Sequence, residues 1–395
     1  MNKKKSKNNK NLFLFIILFI IIIFLFHKNR YIKKINLLIS YKNLDNEFKI
    51  ILSKLNNNEV KILKYYKKII SPKISIISPI FNREKYILRF LKNMQYQIFN
   101  DIEIILVDDF SLDNSIKKIK EYQKNDERII LIINKKNKGT FISRNIGVLY
   151  SNSKYVFLPD QDDIINKKII RLCYKYMEKY NYEIIRFNMF KRNGESTINE
   201  NSKFIHKSIY QPELSTYMFY GNNELQITDY YIHNKFINKE CYIRALNSLN
   251  KEFFNMYITL WEDTIMSYIL YREAKSFYFL KNIGYYYIKN SQSITKNMFK
   301  ISELKLRFIF VFLRIVFENS KNNKYERDMA NALFTELNRN LNIRYRLSTL
   351  SFNSYFNYFT NVINMYLNSP YINKENKFLL NIFKNIIETT KKNKF

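Results

Sequence analysis

Three aspartates within four positions mark the first place where this sequence could carry out chemistry. Asp160, Asp162 and Asp163 directly follow the apolar run Tyr155–Leu158, in a chain with 66 Lys and Arg against 34 Asp and Glu. Like charges so close together repel, so a compensating cation is expected. Oxygen ligands on a short turn suit Mg²⁺ or Mn²⁺, which keep waters and bridge substrate phosphates. The alternative is a solvated acidic turn.

Two further acidic pairs stand beside apolar patterns. Asp108 and Asp109 end the run Ile102–Val107, and Glu262 and Asp263 open a helical pattern. A carboxylate can remove a proton from a reacting hydroxyl as a general base. The alternative for the second pair is an ordinary acid at a helix N-terminus, where the helix dipole favours it.

The elements that position these carboxylates alternate between strand and helix. Apolar runs of strand length are separated by helical patterns of 10–15 residues between about residues 73 and 190. This alternation predicts βαβ units and a mostly parallel, doubly wound sheet. Ligands of such sheets bind at the carboxyl ends of the strands, where both Asp clusters fall.

Several stretches together are similar to one enzyme family. In order and spacing, "ISIISPIFNREKYI", "IEIILVDDFSLDNS", "NKGTFISRNIGV" and "KYVFLPDQDD" resemble the nucleotide-binding half of family 2 glycosyltransferases of the GT-A fold. The acceptor half of that family is similar to three further stretches: "HNKFINKECYIRA", "LWEDTIMSYIL" and "GYYYIKNSQSIT". The resemblance implies a Rossmann-like nucleotide-sugar-binding domain over 72–295, in the manner of single-pass membrane-anchored members.

The resemblance also implies roles for residues that bind the donor. Pro79 and Phe81 would shape the nucleotide pocket after the first strand. Asp108, with Asp109 beside it, would accept a hydrogen bond from the uracil or another base. Arg144 would approach the nucleotide or its diphosphate.

The acidic turn would hold the ribose and a Mn²⁺ or Mg²⁺ ion. Asp160, Gln161 and Asp162, together with Asp163, match the family's metal element. Pro159 departs from the simple apolar run that the family has at this point. The metal ligand therefore stays open among the three aspartates.

On the acceptor side, Asp263 would be the catalytic base and Glu262 its partner or an acceptor contact. Trp261, the only tryptophan, would stack on a sugar or pack in the core. Asn234 and Lys235 match an Asn-Lys pair that faces the acceptor or the diphosphate. His233, just before them, is interpreted as structural.

The implied reaction is metal-dependent, inverting transfer of a sugar from a nucleotide-sugar donor to an acceptor hydroxyl. A UDP-sugar is the first donor to consider, and the acceptor would be a glycan, glycoprotein or glycolipid. The chain has no QxxRW sequence, so a non-processive enzyme is expected. The alternatives are an inactive scaffold of the same fold and a nucleotidyltransferase, which normally needs a Gly-rich loop that "SPIFNREKY" does not provide.

Outside this domain the patterns are helical. Residues 1–30 contain the apolar run Leu12–Phe26, roughly 22 Å long as a helix, which predicts a cytoplasmic tail and a single-pass membrane anchor. Residues 31–71 predict a helical stem, and residues 296–395 a helical C-terminal extension. Basic residues flank the anchor equally, so its orientation stays open: Golgi or ER in a eukaryote, inner membrane with a cytosolic catalytic domain in a bacterium. The basic surface shows no single stripe, and no nucleic-acid partner is expected.

Overall fold

The computed structural model describes residues 60–64, 71–191, 208–210, 220–221, 224–225, 231–249, 253–254, 257–259, 261–288 and 384. The chain divides into two units, 1–53 and 54–395, and every element described here belongs to the second. The predicted anchor, most of the predicted stem and nearly all of the C-terminal extension lie outside the described residues. Within the described ranges, no helix combines the length and the apolar character needed to cross a membrane.

Strands and helices alternate through the first part of the domain. The strands are β1 (Val60–Lys64), β2 (Ile74–Ile80), β3 (Ile102–Asp108), β4 (Ile129–Asn134), β5 (Tyr155–Phe157), β6 (Ile164–Ile165), β7 (Ile184–Lys191), β8 (Ser208–Tyr210), β9 (Tyr220–Gly221), β10 (Glu224–Leu225), β11 (Lys235–Asn238) and β12 (Ser276–Tyr287). The helices are α1 (Ile87–Gln95), α2 (Ser115–Gln123), α3 (Thr140–Tyr150), α4 (Ile169–Tyr180), α5 (Lys239–Asn247) and α6 (Glu262–Glu273).

The large sheet is mixed rather than mostly parallel. Its order is β1-β4-β3-β2-β5-β11-β7-β12-β6, with β8 paired to β12. The predicted parallel part is confirmed from β4 through β3 and β2 to β5. β11, however, runs antiparallel to both β5 and β7 and joins this half to the parallel pair β7 and β12. The prediction of a mostly parallel sheet is wrong there, because a four-residue strand is too short to show a period.

The helical prediction for the stem is wrong at its one described segment. Val60–Lys64 pairs with β4 as an antiparallel edge strand. Its sequence, VKILK, has lysine at the second and the fifth position. Charged residues are a common feature of edge strands because they discourage pairing with another chain.

The core lies on both faces of the central strands, which is why these strands are mostly apolar. Every residue of β2 and β3 is buried. α1 contributes one face at helical spacing, with Ile87, Phe90, Leu91 and Met94 buried. α3 lies so close to β2 that a Cβ added at Gly147 would be 2.3 Å from Cγ2 of Ile77. The carboxyl ends of the strands are thereby fixed against a rigid layer.

Candidate active site

Two loops at the carboxyl ends of β2 and β3 are joined by reciprocal hydrogen bonds. The backbone N–H of Asn82 donates to Oγ of Ser111 at 2.9 Å, and the N–H of Leu112 donates to Oδ1 of Asn82 at 2.9 Å. The N–H of Glu84 donates to Oδ2 of Asp113 at 2.9 Å. These bonds satisfy two half-buried backbone donors and an exposed one, and they join the two loops. The predicted nucleotide pocket therefore has a preformed wall.

Asp108 ends β3 below this wall and is fully buried. Its Oδ2 accepts a hydrogen bond from the Ser111 N–H at 3.0 Å, whereas Oδ1 accepts none from any described residue. Burial raises the pKa of Asp108, and the neighbouring carboxylates Asp109 and Asp113 add to the effect. A buried acceptor without a donor requires an explanation, and the N–H of a ligand would supply one.

In contrast, the Asp109 carboxylate accepts hydrogen bonds from neighbouring residues of the protein itself. Its carboxylate accepts hydrogen bonds from the N–H groups of Lys138 and Gly139 at 2.8 Å and from Nδ2 of Asn134 at 2.9 Å. These contacts shape the turn into α3, where Gly139 has φ +88°. Asp109 is therefore well placed to fix the loop that leads to Arg144, and its predicted contact with a base stays a prediction.

Apolar side chains stand at the rim of the same pocket. Pro79 is buried in β2, and Phe81 is 40% exposed. Phe110 is 46% exposed and has φ +69°, a left-handed conformation that is strained for a bulky residue. Backbone strain of this kind is found preferentially at functional sites. Sequence reasoning missed Phe110, since strain at a single residue has no periodic signal.

Arg144, on α3, contacts three carboxylates. NH1 donates to Oε1 of Glu262 at 2.8 Å and to Oδ1 of Asp263 at 2.5 Å, and NH2 donates to Oδ1 of Asp160. The guanidinium is almost fully buried. Glu262 and Asp263 are 118 and 119 residues away along the chain, so only the fold brings this cluster together. The predicted contact of Arg144 with a nucleotide stays a prediction, but its described partners are carboxylates.

The charges of this cluster shift one another's proton affinities. Burial opposes the charged form of Arg144, but its three carboxylates outweigh burial and raise its pKa further. Burial and the adjacent Asp263 raise the pKa of Glu262 to about 8, with Arg144 acting in the opposite direction. One arginine cannot balance the charge of three carboxylates. The most buried of the three, Glu262, therefore retains its proton.

The three aspartates of the acidic turn have different surroundings. Asp163 is buried, and its two oxygens accept hydrogen bonds from the Tyr285 hydroxyl and the Ile288 N–H, both at 2.7 Å. Asp160 is half-buried and contacts Arg144. Asp162 is half-buried, and its backbone carbonyl accepts from Arg89. Asp163 is thus the least suited of the three to ligate a metal, because both of its oxygens are already used.

The described residues form no group of three or more His, Cys, Asp or Glu side chains arranged as a metal cage. Mg²⁺ and related ions usually take one or two carboxylates and complete their shell with water and substrate phosphates. Asp162, with Asp160 two residues away and half-exposed, has the carboxylate chemistry for such a site. The residues present therefore fit a metal that binds together with a diphosphate.

The predicted acceptor residues fall into two groups. Trp261 is 37% exposed with φ +56°, immediately before α6. Asn234 and Lys235 are fully buried, and the Lys235 ammonium contacts the Tyr231 carbonyl and lies 3.3 Å from Oδ1 of Asn234. Trp261 can therefore meet a sugar directly, whereas Asn234 and Lys235 lie beneath the surface, and their predicted acceptor contacts stay predictions.

Two residues of the cluster were not predicted as functional. His233 lies between Asp160 and Asp263, with Nδ1 3.6 Å and 3.7 Å from their Oδ2 atoms. Tyr285 donates to Asp163 and accepts from the Asp160 N–H at 3.1 Å. Burial lowers the pKa of His233, although the two carboxylates oppose this. His233 and Tyr285 stand in the stretches "HNK" and "GYYY", but the sequence does not show that either residue lies beside the acidic turn.

Comparison with known proteins agrees with this architecture. Residues 75–246 match the family described as Glycosyl transferase family 2. The chain is 33% identical over 133 residues to an uncharacterized glycosyltransferase of Rickettsia conorii, covering 34% of this chain and 21% of that protein. It is 27% identical over 288 residues to the GalNAc(5)-diNAcBac-PP-undecaprenol beta-1,3-glucosyltransferase of Campylobacter jejuni, covering 70% of this chain and 86% of that protein.

Among solved structures, S. aureus TarS 1-349 in complex with UDP has the same fold. The TM-score is 0.55 at 16% identity, over 80% of this chain and 88% of that chain. The complex of TarS 1-349 with UDP-GlcNAc gives a TM-score of 0.52 at 16% identity, over 81% and 92% of the two chains. Together with the family match, this α/β domain with a mixed sheet is a family 2 glycosyltransferase domain of the GT-A type. The chain therefore carries a family 2 glycosyltransferase domain that includes residues 75–246.

Proposed function

We propose that the protein is a non-processive, inverting glycosyltransferase that moves a sugar from a nucleotide-diphosphate donor to an acceptor hydroxyl. The observation that carries this proposal is the position of Asp263. It is half-buried, and Arg144 holds it beside Asp160 of the acidic turn. A base on the acceptor side and a carboxylate on the donor side thus contact the same guanidinium.

Donor binding would use the preformed wall. The unpartnered Oδ1 of Asp108 would accept the N–H of the base, and Phe81 and Phe110 would cover its faces. UDP is the first nucleotide to test, because a uracil carries such an N–H and because TarS, of the same fold, was solved with UDP and with UDP-GlcNAc. Mn²⁺ or Mg²⁺, held by Asp162 and Asp160, would supply Lewis-acid stabilisation of the leaving diphosphate.

Asp263 would remove the proton from the acceptor hydroxyl as that oxygen attacks the anomeric carbon. Glu262 is poorly suited to this step, because its pKa of about 8 leaves it largely protonated at neutral pH. Arg144 would keep the Asp263 carboxylate oriented towards the acceptor. With base and leaving group on opposite faces of the sugar, a single displacement inverts the anomeric centre.

The acceptor and the place of action are also proposals. The Campylobacter jejuni relative is named for transfer to an undecaprenol-linked glycan, which supports a glycolipid acceptor here. A membrane anchor in residues 1–30 would bring the enzyme to such a lipid. Deleting residues 1–30 should then release a soluble, active protein, and activity should be highest on lipid-linked acceptors in a panel of glycans.

The decisive experiment compares Asp263→Asn with wild type and with Asp101→Asn, a matched change at an exposed aspartate. Transfer, measured as nucleoside diphosphate released in the presence of acceptor, should fall at least about 100-fold for Asp263→Asn. Donor affinity, measured by calorimetry, should stay within about threefold. Asp101→Asn should resemble wild type. Near-normal transfer by Asp263→Asn would reject the base assignment, and absence of transfer from wild type with any donor would favour an inactive scaffold.

A further inference from the structure

His233 occupies a position in the active site that the proposed mechanism does not use. Its imidazole is buried, and Nδ1 makes no hydrogen bond to any described residue. Nδ1 lies 3.6 Å from Oδ2 of Asp160 and 3.7 Å from Oδ2 of Asp263. On the other side of the ring, Nε2 lies 3.4 Å from Sδ of Met189.

The surroundings of the ring hold it in this orientation. It stacks on Tyr285 with ring centroids 4.6 Å apart and an angle of 21° between the planes. Tyr231 packs against it with a centroid distance of 5.1 Å. Because Tyr285 is itself hydrogen-bonded to Asp163 and to the Asp160 backbone, the stack is tied to the acidic turn. The imidazole is therefore aimed at the two carboxylates by packing.

The two carboxylates also decide which nitrogen carries the proton in the neutral ring. With the proton on Nε2, the Nδ1 lone pair would face two anionic oxygens and be repelled. With the proton on Nδ1, a donor faces two acceptors, and Nε2 meets only the weakly interacting sulfur of Met189. The neighbours therefore favour the Nδ1–H form.

Arg144 and His233 lie next to different carboxylate oxygens of Asp160 and Asp263. Arg144 contacts Oδ1 of both Asp160 and Asp263, whereas Nδ1 of His233 faces Oδ2 of both. A hydrogen bond needs a separation of about 2.7–3.2 Å, so a movement of roughly half an ångström completes one of them. Active-site hydrogen bonds are often long before substrate binds and shorten in the reacting complex.

We propose that His233 is a positioning residue for the transfer reaction: its Nδ1–H donates to Oδ2 of Asp263 in the reacting complex and fixes the orientation of the base. This inference rests on the proposed function of Asp263. An Asp160 side chain engaged by the donor would no longer compete for the Nδ1 proton, which would leave that proton to Asp263.

The test compares two substitutions of His233. His233→Phe keeps an aromatic ring for stacking on Tyr285 but removes the donor, and His233→Asn places an amide N–H near the position of Nδ1. We expect kcat for transfer to fall about 10–100-fold in His233→Phe, with the dissociation constant of the donor within about threefold. His233→Asn should recover most of the lost kcat. A purely structural histidine would give the reverse order, because phenylalanine replaces the packing better than asparagine.

A second measurement keeps the inference testable if one variant is unstable. In an Asp263→Asn background, His233→Phe should cause no further loss of transfer, because the residue acts through Asp263. An additive loss, or full activity of His233→Phe alone, would overturn the inference. If Asp263→Asn impairs transfer and His233→Phe does not, only this inference fails. If neither change matters, the assignment of Asp263 as the base fails with it.

Discussion

Replacing Arg144 with methionine is the most informative single perturbation of this fold. Methionine fills a similar volume but removes the one guanidinium that contacts Asp160, Glu262 and Asp263. Breaking a buried ion pair by deleting one partner typically costs about 3–5 kcal/mol, because the remaining charge is left buried. Three carboxylates argue for the upper end of that range. The partial exposure of Asp160 and Asp263 argues for less, and we expect a loss near 4 kcal/mol.

The assay is urea unfolding at pH 7, with Arg128→Met as the matched control. Arg128 makes a bidentate pair with Asp126, with separations of 2.8 Å and 2.7 Å, but it lies outside the active site and contacts one carboxylate. That control should cost less, about 1–3 kcal/mol, because it removes the partner of one buried carboxylate only.

A second substitution tests the cause of the loss. If Arg144→Met destabilises by leaving negative charge uncompensated, Asp160→Asn in the same chain should restore about 1–2 kcal/mol of the loss, because burial is outweighed by Arg144, which lowers the pKa of Asp160, and Asp160 is ionised beside it. The reasoning would be refuted if Arg144→Met cost no more than Arg128→Met. It would also be refuted if Asp160→Asn made the Arg144 variant less stable.

Three further outcomes are expected. Asp162→Asn should weaken Mn²⁺-dependent donor binding with little effect on folding. Asp163→Asn should instead lower the free energy of unfolding by about 1–3 kcal/mol, because Asp163 accepts two buried hydrogen bonds. The opposite pattern would exchange the roles of the two residues. Gly147→Ala should cost about 1–3 kcal/mol in thermal unfolding, since the added methyl would lie 2.3 Å from Ile77, and an unchanged midpoint would contradict this packing. Burial lowers the pKa of Lys239 to about 8, so the unfolded state binds more protons between pH 8 and about 10.5. Wild type should therefore gain about 1–2 kcal/mol over Lys239→Met as the pH rises through that window, and a flat or falling difference would reject the shift.

The parts of the fold that the sequence predicts are those with a strong local signal. β2 and β3 are mostly apolar because every residue of both strands is buried, and α1 shows its buried face at helical spacing. The carboxylates at the ends of β3 and β5 follow from the same pattern. β11 has four residues and no readable period, so its antiparallel insertion between β5 and β7 could not be predicted.

The site was predictable in its residue types but not in its contacts. Asp263 and Arg144 were both candidates, yet their ion pair joins α6 to α3 across more than a hundred residues. Asp163 was a candidate metal ligand because of its position in the sequence. Its hydrogen bonds with Tyr285 and Ile288 depend on β12, which passes the acidic turn only in the folded sheet.

The charge balance of the cluster gives a physical reason for a cation to accompany the donor. Asp160, Glu262 and Asp263 all contact the guanidinium of Arg144, and the proton that Glu262 retains at neutral pH still leaves two carboxylates in contact with that one cation. A diphosphate brought to this surplus of negative charge would be repelled, in a chain whose overall formal charge is +32. The local field at a site, and not the net charge of the protein, decides whether an anion can bind there. A divalent ion held by Asp160 and Asp162 would supply the positive charge that a bound diphosphate needs, while Arg144 would remain in contact with Asp263.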